Sequence, residues 1–216
     1  MRTAIIFGST GLVGSHLLNL ITQDETYTKI KLFVRSQLEL KNKKIEIFIT
    51  DFKDFSLIEK YLYGDDCYFC IGTTKKETPN KKEYLRIEYD LPVVIGKIAK
   101  TNKIKSFIYV SSLGSNQNST NAYLKNKGKA EIKLKSYGFD KLTIIRPSLM
   151  LGNRKKFRLG EYLSQKIFTY LSLLFLGPFS KYKAIHSHQV AKSMLIITKS
   201  KLNEVCYDSN RLKTFN

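Results

Sequence analysis

The stretch Thr3-Ala4-Ile5-Ile6-Phe7-Gly8-Ser9-Thr10-Gly11-Leu12-Val13-Gly14-Ser15-His16-Leu17-Leu18 decides the reading of this chain. Its apolar start, Ala4 to Phe7, has the character of a buried strand. It passes directly into Gly8-x-x-Gly11-x-x-Gly14, and an amphipathic run follows that reads as a helix. A tight glycine turn between strand and helix lets backbone N–H groups approach a pyrophosphate, which the positive end of the helix dipole then faces. Gly8, Ser9, Thr10, Gly11, Leu12, Val13 and Gly14 are therefore the first candidate binding residues, and a dinucleotide is the first ligand to consider. Three glycines alone carry little weight, because turns use glycine for positive φ anyway. Their place directly after a strand pattern and at the opening of a helix gives them weight.

Working outward, strand-like and helix-like patterns alternate. Strands are expected at 3–7, 29–34, 45–49, 66–71, 105–111 and 141–146, with a short last one at 204–207. Helices are expected at 12–22, 55–62, 81–101 (Pro92 marking a kink or a start), 121–137, 160–175 and 187–199. This βαβα order predicts an α/β fold: a doubly wound parallel sheet of the Rossmann type with helices on both faces. Residues 1–216 read as one domain, with 153–183 as a small C-terminal cap on the substrate side. The polar loops 73–82 and 113–121 follow predicted strands, and in such sheets the loops beyond the strands' carboxyl ends form the ligand crevice.

The 216 residues are 43% hydrophobic, enough for one substantial core. The longest apolar stretch, Ile167 to Phe179, is broken by Thr169, Ser172, Gly177 and Pro178 and falls short of the roughly 20 residues of a membrane span. The chain opens in a strand, so no signal peptide is expected. Three cysteines make no disulfide framework and suit a reducing cytosol, which leads to a cytoplasmic expectation. Cys67-Tyr-Phe-Cys70 has redox spacing but lies in a strand pattern, so structural cysteines are expected. The formal net charge is +19, unevenly spread. Residues 1–90 carry 14 Lys/Arg against 13 Asp/Glu, and residues 91–216 carry 23 against 5. A half that basic suits phosphorylated small molecules, a polyanion or an anionic membrane surface; solubility with a lysine-rich composition is the simpler account. No basic segment is interleaved with aromatics as a nucleic-acid platform would be, so no specific nucleic acid is expected.

Such folds often end strand 2 with an acid that holds the ribose 2′-hydroxyl. Here the strand runs Phe33-Val34-Arg35-Ser36. The planar cation of Arg35 cannot accept from a hydroxyl but can pair with a 2′-phosphate, which favours NADP, with NAD as the alternative. After strand 3, Asp51 is placed to bond an adenine amino group and Phe52 to pack on the ring; a helix N-cap is the competing role for the acid. After strand 4, Gly72 allows close approach of the cofactor and Thr73 and Thr74 offer hydroxyls, an ordinary turn being the alternative.

Strand 5 ends in Ser111-Ser112, and eleven residues after Ser112 Tyr123-Leu-Lys-Asn-Lys127 opens a helix. Residues i and i+4 share a helix face, so Lys127 lies beside Tyr123. An ammonium favours the phenolate and draws a tyrosine toward the working range of proton transfer. Ser112 at a strand end is placed to hold a carbonyl or alcohol oxygen, and Lys127 also suits the nicotinamide ribose.

In this order, Gly8-x-x-Gly11-x-x-Gly14, Val110-Ser111-Ser112, Tyr123-x-x-x-Lys127 and Ile145-Arg146-Pro147 resemble an atypical short-chain dehydrogenase/reductase over essentially the full length. Phe69-Cys-Ile-Gly-Thr-Thr74 and Tyr123-Leu-Lys-Asn-Lys127-Gly128 are most similar to the small Tat-interacting-protein-like subgroup. The resemblance implies Ser112 as donor to the substrate oxygen, Tyr123 as acid/base, and Lys127 as ribose ligand and tuner of the tyrosine. It places Arg146-Pro147-Ser148 near the nicotinamide, with Pro147 among the cofactor contacts.

Arg154, Lys155, Lys156 and Arg158 precede the apolar run Tyr162 to Leu176, which reads as a pocket cover or a homodimer seam in preference to a membrane-surface helix. His186-x-His188 lacks nearby acidic or cysteine partners, so no metal is expected. The leading expectation is a cytoplasmic, NADP-dependent oxidoreductase acting on a small-molecule carbonyl or alcohol. The alternatives are a non-catalytic dinucleotide-sensing module and a sugar-nucleotide epimerase or dehydratase, for whose nucleotide-holding region this length leaves little room.

Overall fold

The computed structural model describes residues 1–152, 182–202 and 204–215. The order of elements is β1 (Arg2–Phe7), α1 (Leu12–Gln23), β2 (Tyr27–Val34), β3 (Ile45–Ile49), α2 (Ser56–Tyr61), β4 (Asp66–Phe69), α3 (Lys81–Leu85), α4 (Leu91–Thr101), β5 (Ser106–Val110), α5 (Ala122–Lys135), β6 (Lys141–Arg146), β7 (Met150–Leu151), β8 (Ile185–His186), α6 (Ser187–Lys199), β9 (Cys206–Asp208) and α7 (Ser209–Leu212). Among the described residues, seven strands pair in the order β3-β2-β1-β4-β5-β6-β9, every pair parallel. The doubly wound α/β fold expected from the alternation is the one observed. The order reverses at β1, which has β2 on one side and β4 on the other. Such a switch point leaves a crevice above the strands' carboxyl ends.

β1 shows why the apolar runs are unbroken. Successive side chains point to opposite faces of a strand. Ala4 and Ile6 join one core with Val13, Leu17 and Ile21 of α1 and Val190, Met194 and Ile197 of α6. Ile5 and Phe7 join the other core with Ile58 of α2, Leu91 and Ile95 of α4, and Ala130 and Leu134 of α5. A parallel strand covered by helices on both faces has no solvent side, so its sequence loses the polar alternation.

The expected helix 81–101 is interrupted. Between α3 and α4, Arg86–Asp90 forms a π-turn, and Pro92 follows in the first turn of α4. Proline lacks the N–H that would reach the carbonyl of residue 88 in a regular α-helix, and the wider turn is where the helix absorbs that loss. β4 ends at Phe69, ahead of the expected residue 71. The two-residue pairing of β7 with β8 and the short α7 were not expected. The expected helix 160–175, and the cap apart from residues 182–183, lie outside the described residues.

Several lysines cap helix carbonyls. Lys44 Nζ donates to Thr22 O (3.3 Å) and Asp24 O (3.2 Å) at the end of α1. Lys141 Nζ donates to Ile197 O, Thr198 O and Ser200 O at the end of α6. Cations at these negative dipole ends are stabilising.

At the opposite end of the sheet from the crevice, Asp66 is completely buried at the start of β4. It accepts from Arg2 Nε (2.8 Å), Arg2 Nη2 (2.5 Å) and the Tyr27 hydroxyl (2.8 Å), and the Tyr27 hydroxyl lies 3.0 Å from that of Tyr68. The network joins β1, β2 and β4. Asp66→Ala removes the network's carboxylate and leaves the Arg2 guanidinium and the Tyr27 hydroxyl without that acceptor, so we expect a loss of about 3 kcal/mol in urea unfolding; a change under about 0.5 kcal/mol, the size of an ordinary surface substitution, would refute this account.

Candidate active site

The glycine turn is built by close backbone approach. Gly8 has φ +82°, and a Cβ there would stand 2.9 Å from Cys70 C and Ile71 N. Gly11 N donates to Gly8 O at 3.0 Å, and a Cβ on Gly14 would overlap that same oxygen. Gly11 caps α1 without a side-chain acceptor, and no acid lies in the first turn. Val13 is buried in the core, whereas Thr10 is exposed. Ser9 is 2% exposed, and its hydroxyl has no hydrogen-bond partner among the described residues. An unpartnered buried hydroxyl costs roughly 1–3 kcal/mol, which a phosphate oxygen would offset. Uncapped helix N–H groups, a turn open only to glycine and an orphaned serine hydroxyl together fit a dinucleotide pyrophosphate.

Arg35 is exposed just beyond β2. Asp51 is exposed and its carboxylate accepts from Lys53 N at 2.8 Å in a local turn, not as a helix cap. The structure does not bring the Phe52 ring to the crevice. That residue sits at φ +59°, is 5% exposed, and turns its ring into the core 6.2 Å from Phe7. Its carbonyl accepts from Arg86 Nη1 at 2.7 Å.

The loop after β4 converges with β5 and α5 on one buried charge. Lys127 is 2% exposed; its Nζ donates to Val110 O at 3.1 Å and lies 3.1 Å from Glu88 Oε2. Glu88, in the π-turn, is completely buried, and its Oε1 accepts from Thr73 N at 2.5 Å. A Cβ on Gly72 would meet Glu88 Oε1 at 3.5 Å and Lys127 Nζ at 3.9 Å, so the glycine backbone lies directly against the pair. The Lys127 ammonium stands 4.9 Å from the Tyr109 ring centroid and 5.9 Å from that of Tyr123. Burial acts to lower the lysine pKa, but Glu88 first, then Tyr109 and Tyr123, override it and hold the ammonium well above its usual range. Tyr84 is pushed up to about 12, mainly by burial and then by Glu88.

Tyr123 opens α5, where Asn121 caps the helix by accepting from Tyr123 N and Leu124 N. A Cβ on Gly128 would overlap the backbone of Asn116 and Gln117, so the loop carrying Ser112 folds tightly back onto α5. The two adjacent serines separate. Ser111 is buried, donating to Glu131 Oε1 at 2.5 Å. Ser112 is half-buried and makes only a long 3.4 Å contact to Leu113 O. The Thr73 hydroxyl lies 2.8 Å from that of Thr78, while Thr74 O accepts from Glu77 N and Thr78 N.

Glu88 was not anticipated from the sequence, yet its signal was there. Positions 88, 91, 95 and 98 form one helical stripe, and the other three are the buried Leu91, Ile95 and Ile98. A charged residue in such a stripe needs a buried partner. The guanidinium of Arg146, at the end of β6, is ion-paired with Glu131 of α5. Pro147 is buried and its carbonyl accepts from Leu113 N at 2.9 Å, tying the end of β6 to the Ser112 loop. Among the described residues, no three His, Cys, Asp or Glu are grouped to hold a metal; His16 and His188 meet edge-on at 5.6 Å.

Cys67 packs in one core and Cys70 against the other, because the strand sends them to opposite faces. Burial pushes the Cys70 thiol up to about 12 against the pull of Lys127. Diamide should therefore form no Cys67–Cys70 disulfide in the folded protein, and mass spectrometry showing that bond would contradict the strand geometry. Gly14→Ala should weaken NADPH binding about tenfold or more by forcing the turn apart; an unchanged affinity in calorimetry would remove the glycine turn from the binding site.

The NAD(P)H-binding family matches residues 8–166. Protein HTATIP2 of Rattus norvegicus is 29% identical over 171 residues, 77% of this chain and 70% of that protein. The mitochondrial protein FMP52 of Debaryomyces hansenii is 31% identical over 194 residues, 88% of this chain and 84% of that protein. The FMP52 proteins of Meyerozyma guilliermondii and Candida albicans are also named mitochondrial. These relatives overturn the expectation of a purely cytoplasmic location; unpaired cysteines do not distinguish one compartment from another. Among solved structures, a UDP-N-acetylglucosamine 4-epimerase from Methanobrevibacter ruminantium superposes with TM-score 0.69 at 19% identity, over 98% of this chain and 79% of that one. The Bordetella bronchiseptica enzyme WbmH in complex with NAD+ superposes with TM-score 0.72 at 16% identity, over 99% of this chain and 79% of that one. At such identity the likeness is one of fold. The glycine turn, the switch-point crevice and the matched span lead to one conclusion: the chain belongs to the NAD(P)H-binding family with a Rossmann-type fold.

Proposed function

We propose that this protein is an NADP-dependent oxidoreductase of the short-chain dehydrogenase type, acting on a small carbonyl or alcohol. The observation that carries this reading is the buried, charged Lys127 beside Tyr123, at the carboxyl ends of β4 and β5 where a dinucleotide in the glycine turn would lead. A bound nicotinamide supplies the hydride acceptor or donor. Tyr123 Oη passes the proton to or from the substrate oxygen. Ser112, whose hydroxyl has no strong internal partner, donates to that oxygen and orients it. Lys127 holds the ribose side of the crevice and keeps a positive charge near the tyrosine. The exposed guanidinium of Arg35, at the end of β2, supports the preference for a 2′-phosphate.

Two measurements test this. Fluorescence titration should give tighter binding of NADPH than of NADH, with Arg35→Ala erasing the difference; equal affinities in the unaltered protein would end the NADP preference. Over a panel of small carbonyl compounds, Tyr123→Phe should lower turnover by about a hundredfold or more while leaving the NADPH dissociation constant nearly unchanged. Turnover retained in that variant would remove Tyr123 from the proton transfer. Tight binding with no turnover by the unaltered protein would favour a dinucleotide-sensing role.

A further inference from the structure

We propose that Glu88 is a positioning residue of this site, whose buried carboxylate holds Lys127 beneath the end of β5 and ties to it the loop that follows β4. The proposal deepens the oxidoreductase reading, since it assigns what keeps the lysine charged and in place.

The β4 loop, the π-turn, β5 and α5 meet at this ion pair. Glu88 Oε1 accepts the Thr73 amide at 2.5 Å from the β4 loop. Its Oε2 faces the Lys127 ammonium of α5 at 3.1 Å, and that ammonium also donates to Val110 O at the end of β5. Both side chains are shut off from water, at 3% exposure for Lys127 and 0% for Glu88. An isolated buried lysine gives up its proton, with shifts of up to about 3–5 units known for fully buried groups. The remaining titratable groups around Lys127 are Tyr84 on α3, Tyr109 on β5, Tyr123 on α5 and Cys70 after β4. Burial pushes Tyr84, Tyr109 and Cys70 upward, which keeps them neutral at ordinary pH. Among the described groups, Glu88 is therefore the carboxylate that faces this lysine.

The π-turn is part of the device. It runs directly into α4, with Pro92 in the first turn of that helix, and places an acid of the apolar stripe against the lysine. π-turns inside helices recur at functional sites. Gly72 borders the arrangement, since a Cβ there would be in van der Waals contact with Glu88 Oε1 and Lys127 Nζ.

The test is Glu88→Gln in the full chain, with lysine 13Cε resonances followed by NMR through a pH titration and Lys127 assigned by its loss in Lys127→Arg. Glutamine keeps the acceptor for Thr73 N and loses only the charge. The Lys127 titration should fall by about 2 units or more, and Glu88→Asp should restore most of it. The basic limb of turnover should move down with it in Glu88→Gln, while far-UV circular dichroism remains native. If Glu88→Gln fails to fold, the same titration is read in Glu88→Met, a neutral side chain of similar length, in which the Lys127 titration must likewise fall by about 2 units or more. A Lys127 titration unchanged in the folded variant would overturn the proposal. This readout needs no catalysis: a shifted lysine in a protein that turns over nothing would uphold the positioning role and defeat the oxidoreductase reading, whereas an unshifted lysine in an active enzyme would do the reverse.

Discussion

The near-contact of Gly14 with the Gly8 carbonyl governs the upper half of this molecule. It seats α1 against the end of β1 more closely than any side chain would permit. Gly8 in turn touches the backbone of Cys70 and Ile71, so the same packing fixes where the chain leaves β4. From there the β4 loop carries Gly72 and Thr73 over the buried charge pair. Glycine appears at both points because the backbone itself is the neighbour, and one added carbon would separate helix, strand and loop.

Two buried acids occupy opposite ends of the sheet and differ in consequence. Asp66 is matched by a partly exposed arginine and two tyrosines that do not face the crevice, a stabilising arrangement across β1, β2 and β4. Glu88 is matched by an equally buried lysine at the crevice end. Taking two charges out of water costs several kcal/mol each, and the attraction between them does little more than offset this. A pair of that kind is weak evidence for stability. Its cost is understandable where chemistry needs a fixed cation, and the strands' carboxyl ends are where ligands bind in such folds.

The surplus of lysine looks different once placed. Lys44 and Lys141 close the ends of α1 and α6, and Lys31 Nζ donates to Tyr61 O and Tyr63 O, both at 3.0 Å, at the end of α2. Lys127 is internal. Arg146 satisfies Glu131 behind the strand that carries the serines. Part of the basic balance is therefore spent on helix carbonyls and buried acids within the fold, where a charge total cannot distinguish it from a surface for partners.

The sequence by itself determined the alternation of strands and helices, the parallel sheet and the glycine turn, because those follow from local periodicity and from what a single residue type can do with its backbone. It also brought Tyr123 and Lys127 onto one helix face, since four residues make about one turn. It placed Ser111 and Ser112 at a strand end without separating them; only the tertiary structure buried the first against Glu131 and left the second half-buried. The same holds for Phe52, whose ring the packing of Phe7 draws into the core, and for Arg146, claimed by an acid fifteen residues away. Glu88 is the clearest case. The sequence shows an acid on an apolar stripe, but which cation answers it depends on a π-turn, a proline and the approach of another helix, and long-range electrostatics of that kind exist only once the chain has folded.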